Sequence, residues 1–208
     1  MDITWYQSLE WFSKKKKVRK VLFVCSGNAC RSPSAEYFFR EMTHWWSGIR
    51  AFSRGTKVDE TIAMLVSRGI NLNEYAVEPE VKKAIGDRKT ISFLHGHRPK
   101  QISTKDAESA DLILTMEKSL RDQLRTEFPD AAYKIFTLKG FVEKTDNNSV
   151  AELDIGNPFM PPPLKAKQGV TLGKVGYYKY IQNYMKILSV IKEDVRKLIE
   201  ILYLIRRE

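Results

Sequence analysis

The stretch VLFVCSGNACRSPSAE, which begins at Val21, constrains the fold more than any other part of the chain. Its first five residues, Val21 to Cys25, form the continuous apolar run expected of a strand buried on both faces of a sheet. A short polar loop follows, and then Ser32 and Pro33, which are suitable as the N-cap and first-turn residues of a helix. A buried strand joined to a helix by a tight loop is typical of an α/β protein.

The rest of the chain repeats this alternation of strand and helix. Because repeated β–α units imply a parallel sheet with helices on both faces, we expect a three-layer α/β/α domain over residues 19–208. Ligands of such sheets bind at the carboxyl ends of the strands, here at the loop after Cys25. Further strands are predicted in IRAFS, DLILTM (Asp111–Met116) and YKIFTL (Tyr133–Leu138), and helices in VDETIAMLVSRGI, PEVKKAI and EKSLRDQLRTEF.

A long C-terminal helix is predicted from apolar residues that recur at alternating steps of three and four. Such a stripe could form the seam of a coiled coil, but in a βα protein we expect it to cover the sheet. The stripe consists of Ile181, Tyr184, Leu188, Ile191, Val195, Leu198, Leu202 and Ile205.

Residues 1–18 are predicted to be a basic and aromatic N-terminal extension. Trp5, Leu9 and Phe12 fall at i, i+4 and i+7, and a run of lysines, Lys14–Lys17, follows them. Residues 1–17 could therefore form a short interfacial helix that makes weak contact with an anionic membrane surface. We favour the alternative, in which the apolar stripe packs on the chain's own domain and the lysines stay solvated.

Charge and cysteine content narrow the class of protein. The net charge of +10 and the pI near 9.5 favour anionic partners, but no recognisable nucleic-acid motif accompanies them, so nucleic acid is an unlikely partner. No apolar stretch approaches the length of a membrane span. Two cysteines cannot form a disulfide scaffold, so we expect reduced thiols and a cytoplasmic protein. The oligomeric state is left open.

The loop after the first strand predicts phosphoryl-transfer chemistry. Cys25 and Arg31 bracket five residues whose amide N–H groups can turn inward around an anion. Gly27 and Asn28 tolerate the positive φ that a tight cradle demands, and the Arg31 guanidinium matches two phosphate oxygens. A cysteine at the base of this cradle is expected to be a thiolate at neutral pH. We therefore predict a covalent intermediate on Cys25.

VLFVCSGNACRSPSAE resembles the phosphate-binding loop of the low-molecular-weight protein tyrosine phosphatases. The resemblance covers most of residues 19–205. It implies a central four-stranded parallel sheet flanked by helices, and hydrolysis of phosphate monoesters without a metal or other cofactor. Further matches follow in order: SRGT (Ser53–Thr56), HRPKQIS (His97–Ser103), ADLILTM (Ala110–Met116), FTLKGF (Phe136–Phe141) and DIGNPF (Asp154–Phe159).

The resemblance also implies the role of each loop residue. Cys25 would be the nucleophile and Arg31 would bind phosphate. The Ser32 hydroxyl would steady the thiolate, and Asn28 would hold the shape of the loop. The amide cradle would come from Ser26, Gly27, Asn28, Ala29, Cys30 and Arg31.

The implied substrate is phosphotyrosine in a phosphorylated protein. Phe159 stands where the family often has an aromatic residue, and Trp45 or Trp46 is a further candidate for the wall of the cleft. Some relatives prefer phosphoarginine, and Ala29 occupies the loop position that varies with that preference. Ala29 is neither the large aliphatic residue usual in tyrosine phosphatases nor a threonine, so the choice stays open.

The sequence departs from the family at the general acid. The family carries an aspartate before proline in this loop, but here the residue is Asn157, whose amide cannot donate a proton. Asp154 is the nearest carboxylate and could replace it if the loop bends at Gly156, or it could be an ordinary loop residue. We expect slow turnover of aryl phosphates and hardly any of alkyl phosphates. The alternative is a weak or inactive phosphate-binding module.

Four further features bear on the interpretation of the sequence. An arsenate reductase needs cysteines downstream, and none follows Cys30, which makes that activity improbable. Cys30 itself could form a reversible disulfide with Cys25 or be a small buried residue. His95 and His97 are expected to be loop or helix-end residues, with no metal. The segment 160–174 is either a lid or a passive surface loop.

Overall fold

The computed structural model describes residues 18–43, 48–67, 87–145, 154–157 and 174–205. Within these ranges four strands form one parallel sheet, in the order β2-β1-β3-β4. The strands are β1 (Lys20–Cys25), β2 (Arg50–Gly55), β3 (Leu112–Thr115) and β4 (Ile135–Thr137).

Helices connect these strands and cover both faces of the sheet. A short 3₁₀ helix, Pro129–Lys134, lies just before β4. The α-helices of the described ranges are α1 (Arg31–Thr43), α2 (Val58–Ser67), α3 (Arg88–Gly96), α4 (Thr104–Ser109), α5 (Lys118–Glu127), α6 (Leu138–Val142) and α7 (Lys174–Ile205).

Strand β1 lies in the middle of the core, with its apolar run fully buried. Val21 and Phe23 face one side, where they pack with residues of α1, α6 and α7. Leu22 and Val24 face the other side, where they pack with residues of α4 and α5. Because successive side chains of a strand point to opposite faces, one strand joins the two helix layers. This confirms the predicted three-layer α/β/α fold with a central four-stranded parallel sheet.

Helix α7 covers the sheet as predicted. The part of its apolar stripe from Ile191 onward lies in the same core cluster as α1, and Ile191, Val195 and Leu198 are completely buried. Burying one such side chain contributes roughly 1.5–3 kcal/mol. The stripe is therefore core packing and not the seam of a coiled coil.

Two features of the elements differ from prediction. Helix α1 begins at Arg31, and the Ser34 N–H donates to the Cys30 carbonyl (2.9 Å), so Ser32 is inside the helix and is not its N-cap. Helices α3 and α4 were not predicted. Asp87 caps the first, and Ser103 caps the second through a capping box with Asp106.

Several predictions fall outside the described residues. They are the extension over residues 1–17, the PEVKKAI helix, nearly all of the 160–174 segment, and the cleft candidates Trp45, Trp46 and Phe159. Among the helices that the structure does describe, none has the length and apolarity needed to cross a bilayer.

Candidate active site

Cys25 ends β1 at the carboxyl edge of the sheet, where the chain turns through residues 26–30 into α1. An open cavity of about 260 Å³ lies above this loop. The lining residues from the loop are Cys25, Ser26, Gly27, Ala29, Cys30 and Arg31. The structure therefore brings the predicted nucleophile and the predicted phosphate-binding arginine to one cavity.

The backbone of the loop depends on Asn28 and Gly27 in different ways. Asn28 has a φ of 49°, as its residue type predicted. Gly27 is not among the positive-φ residues of the described chain, so its predicted role in the backbone turn is wrong. A Cβ on Gly27 would lie 2.5 Å from Cγ2 of Thr61, and glycine is needed there for close packing against α2.

The side chain of Asn28 joins three segments. It is completely buried, and its Nδ2 donates to the hydroxyls of Ser32 and Ser53, each at 3.0 Å. Its Oδ1 accepts from the backbone N–H of Lys100 at 2.9 Å. Buried amides of this kind are costly unless they are satisfied, and this one has partners for both its oxygen and its nitrogen.

The Ser32 hydroxyl lies against the nucleophile. Its Oγ is 3.1 Å from Cys25 Sγ, and it also lies 3.2 Å from the Arg54 carbonyl. Because Nδ2 of Asn28 donates to this oxygen, the hydroxyl has one proton to give, and its two acceptors within reach are the Arg54 carbonyl and the Cys25 sulfur. A hydrogen bond to a thiolate favours the charged form.

His97 contacts the loop in a way that the sequence did not reveal. It is the C-cap of α3, in line with the expected helix-end position, but its ring also contacts the phosphate loop. Nε2 lies 2.9 Å from the Asn28 carbonyl and 3.2 Å from its Oδ1, so Nε2 carries the proton and donates. Burial lowers the pKa of His97, and the bond to the Asn28 carbonyl acts in the opposite direction.

Arg31 is buried, and one end of its guanidinium is anchored. Nη1 forms an ion pair with Glu117 and donates to the Ile155 carbonyl at 2.9 Å. Nε and Nη2 have no partner among the residues that the structure describes, which leaves a fork for two phosphate oxygens. Glu117 was also missed, although a carboxylate two residues after β3 is a signal for the same edge of the sheet.

The predicted acid loop is described over residues 154–157. Oδ1 of Asp154 accepts from the backbone N–H of Lys118 at 2.6 Å, so this carboxylate caps α5. Asn157 lines the cavity, whereas Asp154 is not among the lining residues of the described chain. The catalytic role of Asp154 stays a prediction.

Cys30 lines the cavity, but its thiol is bonded to α7. Its Sγ donates to the hydroxyl of Tyr184 at 3.0 Å, and it packs with Leu94 and Leu188. Burial raises the pKa of the Cys30 thiol to about 12, so it is a neutral thiol, and the bond to Tyr184 opposes this effect only in part. Both cysteines are free. The reversible disulfide between Cys25 and Cys30 stays a prediction.

Helix α2 forms one wall of the cavity. Only two residues, Thr56 and Lys57, separate it from β2, and their N–H groups donate to the carbonyls of Cys25 (3.1 Å) and Ser26 (2.9 Å). This wall was not predicted. Its lining residues are Lys57, just before the helix, and Glu60, Thr61 and Met64 of the helix itself.

The family model for low molecular weight phosphotyrosine protein phosphatases matches residues 20–204. The chain therefore belongs to this family.

Relatives with two different activities match the chain. It is 30% identical over 143 residues to a protein-arginine-phosphatase of Geobacillus stearothermophilus, which covers 69% of this chain and 80% of the relative. It is 33% identical over 128 residues to the low molecular weight protein-tyrosine-phosphatase PtpB of Staphylococcus haemolyticus, which covers 59% of this chain and 74% of the relative. Sequence likeness alone does not separate the two activities.

Solved structures share the fold. The low molecular weight protein tyrosine phosphatase from T. tengcongensis superposes with a TM-score of 0.56 at 27% identity, covering 88% of this chain and 98% of that chain. The YwlE arginine phosphatase from Geobacillus stearothermophilus has a TM-score of 0.58 at 24% identity, covering 89% of this chain and 94% of that one.

Proposed function

We propose that the chain is a cysteine-dependent phosphatase that hydrolyses phosphotyrosine in proteins through a phosphocysteine intermediate. The observation that carries this proposal is the arrangement of Cys25, Ser32 and Arg31. Cys25 Sγ lies 3.1 Å from the Ser32 hydroxyl at the base of the cavity, and Arg31 lines the same cavity with its guanidinium anchored from behind.

The first step is attack of the Cys25 thiolate on phosphorus. The amide N–H groups of residues 26–31 and the Arg31 guanidinium hold the three non-bridging oxygens. As the S–P bond forms, the bond from phosphorus to the ester oxygen breaks and the phenol leaves. The Ser32 hydroxyl steadies the sulfur before attack and again when it departs.

The second step is hydrolysis of the phosphocysteine. Water attacks phosphorus, the S–P bond breaks, and inorganic phosphate leaves with Cys25 restored as a thiolate. Both steps benefit from a carboxyl group, which first donates a proton to the leaving oxygen and then accepts one from water. Asn157 cannot do either, so another carboxyl group has to take its place, and Asp154 is the candidate that the sequence predicts.

The missing aspartate sets the expected substrate range. General acid–base catalysis contributes roughly 10²–10⁴-fold, and its weakening harms a leaving alkoxide far more than a leaving phenolate. We therefore expect slow turnover of aryl phosphates and almost none of phosphoserine. A weak or inactive phosphate-binding module is the alternative that Asn157 supports.

Phosphoarginine is a second candidate substrate. The relatives that match over the longest share of this chain include the protein-arginine-phosphatase of Geobacillus stearothermophilus. Ala29, which lines the cavity, is smaller than the aliphatic side chain usual at this position in tyrosine phosphatases, and so does not exclude a guanidinium.

The proposal is tested with purified protein and a matched Cys25→Ser variant. Peptides carrying phosphotyrosine, phosphoserine or phosphoarginine are compared for phosphate release, and a phosphorylated cysteine is sought by mass spectrometry after rapid quenching. We expect Cys25-dependent release from phosphotyrosine and little from phosphoserine.

Other outcomes separate the alternatives. Faster release from phosphoarginine would make the chain an arginine phosphatase. Phosphopeptide binding without any Cys25-dependent release would favour the binding module. Equal rates on phosphotyrosine and phosphoserine would contradict the proposed leaving-group limit.

A further inference from the structure

Glu60 stands on the cavity wall that α2 provides. It lies in the first turn of α2 and lines the same cavity as Cys25 and Arg31. Of the described residues around this cavity, Glu60 alone carries a carboxyl group. A proton donor is what the site lacks at Asn157, so the position of this carboxyl group bears directly on the chemistry.

The first turn of α2 is held firmly against the phosphate loop. The N–H of Lys57 donates to the Ser26 carbonyl, and the Thr61 hydroxyl donates back to the Lys57 carbonyl at 2.6 Å. The methyl group of Thr61 packs so closely on Gly27 that no Cβ would fit there. The backbone at residue 60 is therefore anchored beside the phosphate loop, and the exposed Glu60 side chain extends from this anchored turn.

The neighbouring carboxylates are engaged elsewhere. Glu117 forms an ion pair with Arg31, Asp154 accepts from Lys118, and Glu36 accepts from Ser53 and Arg40. The Glu60 carboxylate, in contrast, has no hydrogen bond or ion pair with any residue that the structure describes. To act as the acid, Asp154 would have to leave the start of α5, whereas Glu60 would break no bond to any of the described residues.

We propose that Glu60 is the general acid and base of this site, in place of the carboxylate absent at position 157. The inference rests on the proposed phosphatase function. When the Cys25 thiolate attacks phosphorus, the Glu60 carboxyl gives its proton to the ester oxygen as the P–O bond breaks, and the phenol leaves neutral. In the second step the Glu60 carboxylate takes a proton from the attacking water, whose oxygen bonds to phosphorus as the S–P bond breaks. Glu60 thus regains the proton that it gave.

The test compares two substrates that differ in their need for a proton. The leaving group of 4-nitrophenyl phosphate departs well as an anion, whereas that of phenyl phosphate needs protonation. The kcat/KM value reports the first step, so it isolates the acid role. For E60Q we expect kcat/KM on phenyl phosphate to fall about 10²-fold, and on 4-nitrophenyl phosphate to fall by less than about threefold.

Three variants sharpen the comparison. D59N removes the adjacent carboxylate in the same turn, which does not line the cavity, and should leave both rates unchanged. E60D keeps a carboxyl group and should recover part of the phenyl phosphate rate. N157D added to E60Q restores a carboxyl group at the position where relatives carry one, and should rescue phenyl phosphate turnover.

Each result that contradicts the Glu60 inference leads to a different conclusion. An equal loss on both substrates would make Glu60 a structural residue, and wild-type rates in E60Q would remove it from the mechanism. A loss confined to phenyl phosphate in D154N, without one in E60Q, would assign the acid to Asp154. All three outcomes overturn the Glu60 inference while the phosphatase stands. No Cys25-dependent turnover in wild type would instead overturn the proposed function, and this inference with it.

Discussion

The buried amide of Asn28 stabilises the phosphate loop in two ways. Its side chain ties the loop to Ser32, Ser53 and Lys100, and its backbone adopts a left-handed conformation, with a φ of 49°. The left-handed region costs an ordinary residue about 1–2 kcal/mol, and asparagine and glycine tolerate it best. Asn28 thus supplies both the left-handed turn of the loop and the hydrogen bonds that hold the loop in place.

Two substitutions separate these contributions. Asn28→Ala loses both the side-chain bonds and the tolerance for positive φ, whereas Asn28→Gly loses only the bonds. We expect kcat/KM to fall by at least about tenfold in both variants, because partners of the amide are left unsatisfied. In thermal unfolding, Asn28→Ala should be less stable than Asn28→Gly by about 1 kcal/mol. Equal stability would show that the φ is not under strain.

At the scale of single residues, the sequence predicted the site residues that lie close together along the chain. Cys25 and Arg31 are six positions apart in one loop, so their proximity follows from the strand–loop–helix pattern. His97, Glu117 and Glu60 reach the site from separate elements. Their approach depends on sheet order and on the two-residue link before α2, which no local pattern encodes.

The junction between β2 and α2 requires a glycine. A Cβ on Gly55 would lie 2.5 Å from the Ser26 carbonyl oxygen and 2.9 Å from the Asn28 nitrogen. These are backbone atoms of the phosphate loop and cannot rotate away. The close approach of β2 thus helps to set the position of the loop.

We therefore expect Gly55→Ala to displace the loop and reduce kcat/KM by about 10²-fold, since shifts near 1 Å cost that much in positioned sites. Gly96→Ala is the matched control, because a Cβ there meets no atom within 4 Å. Its kcat/KM should equal that of wild type. A Gly55→Ala enzyme with full activity would show that the loop can move without loss.

The elements that could be predicted are those with a strong apolar signal. Strands β1, β3 and β4 have the sequences of buried apolar runs, and α7 has a long apolar stripe. Helix α4 has only six residues, Thr104–Ser109, and of these only Ala107 is buried, so it has too few apolar positions to show a period. Its one signal was Ser103 followed three residues later by Asp106, which is the spacing of a capping box.

A buried carboxyl group couples the stability of the whole molecule to pH. Asp194 of α7 is only 4% exposed, and its Oδ2 finds no hydrogen-bond partner among the described residues. Burial raises the pKa of Asp194 to about 6, from a usual 3.8. The charged groups around it act in both directions: Lys139 and Lys197 lower the pKa, and Glu143 and Glu193 raise it.

The sign of the effect follows from proton binding. Between the unfolded and folded pKa values of Asp194, the folded state binds more protons, so its contribution to stability falls as pH rises from about 4 to about 7. The substitution Asp194→Asn removes this pH-dependent loss of stability. Urea unfolding should show the variant more stable than wild type by about 1–3 kcal/mol at pH 7, with a smaller difference near pH 4. A difference that does not change with pH would contradict this account.

The bond from Cys30 to Tyr184 links the first strand–loop–helix unit to the last described helix, across 154 positions of sequence. A nascent chain on the ribosome exposes residues 25–31 long before residue 184 has been synthesised. The thiol of Cys30 and its neighbours then lack the surface against which they pack. The cavity beside Cys25 should consequently take its final form only late in translation.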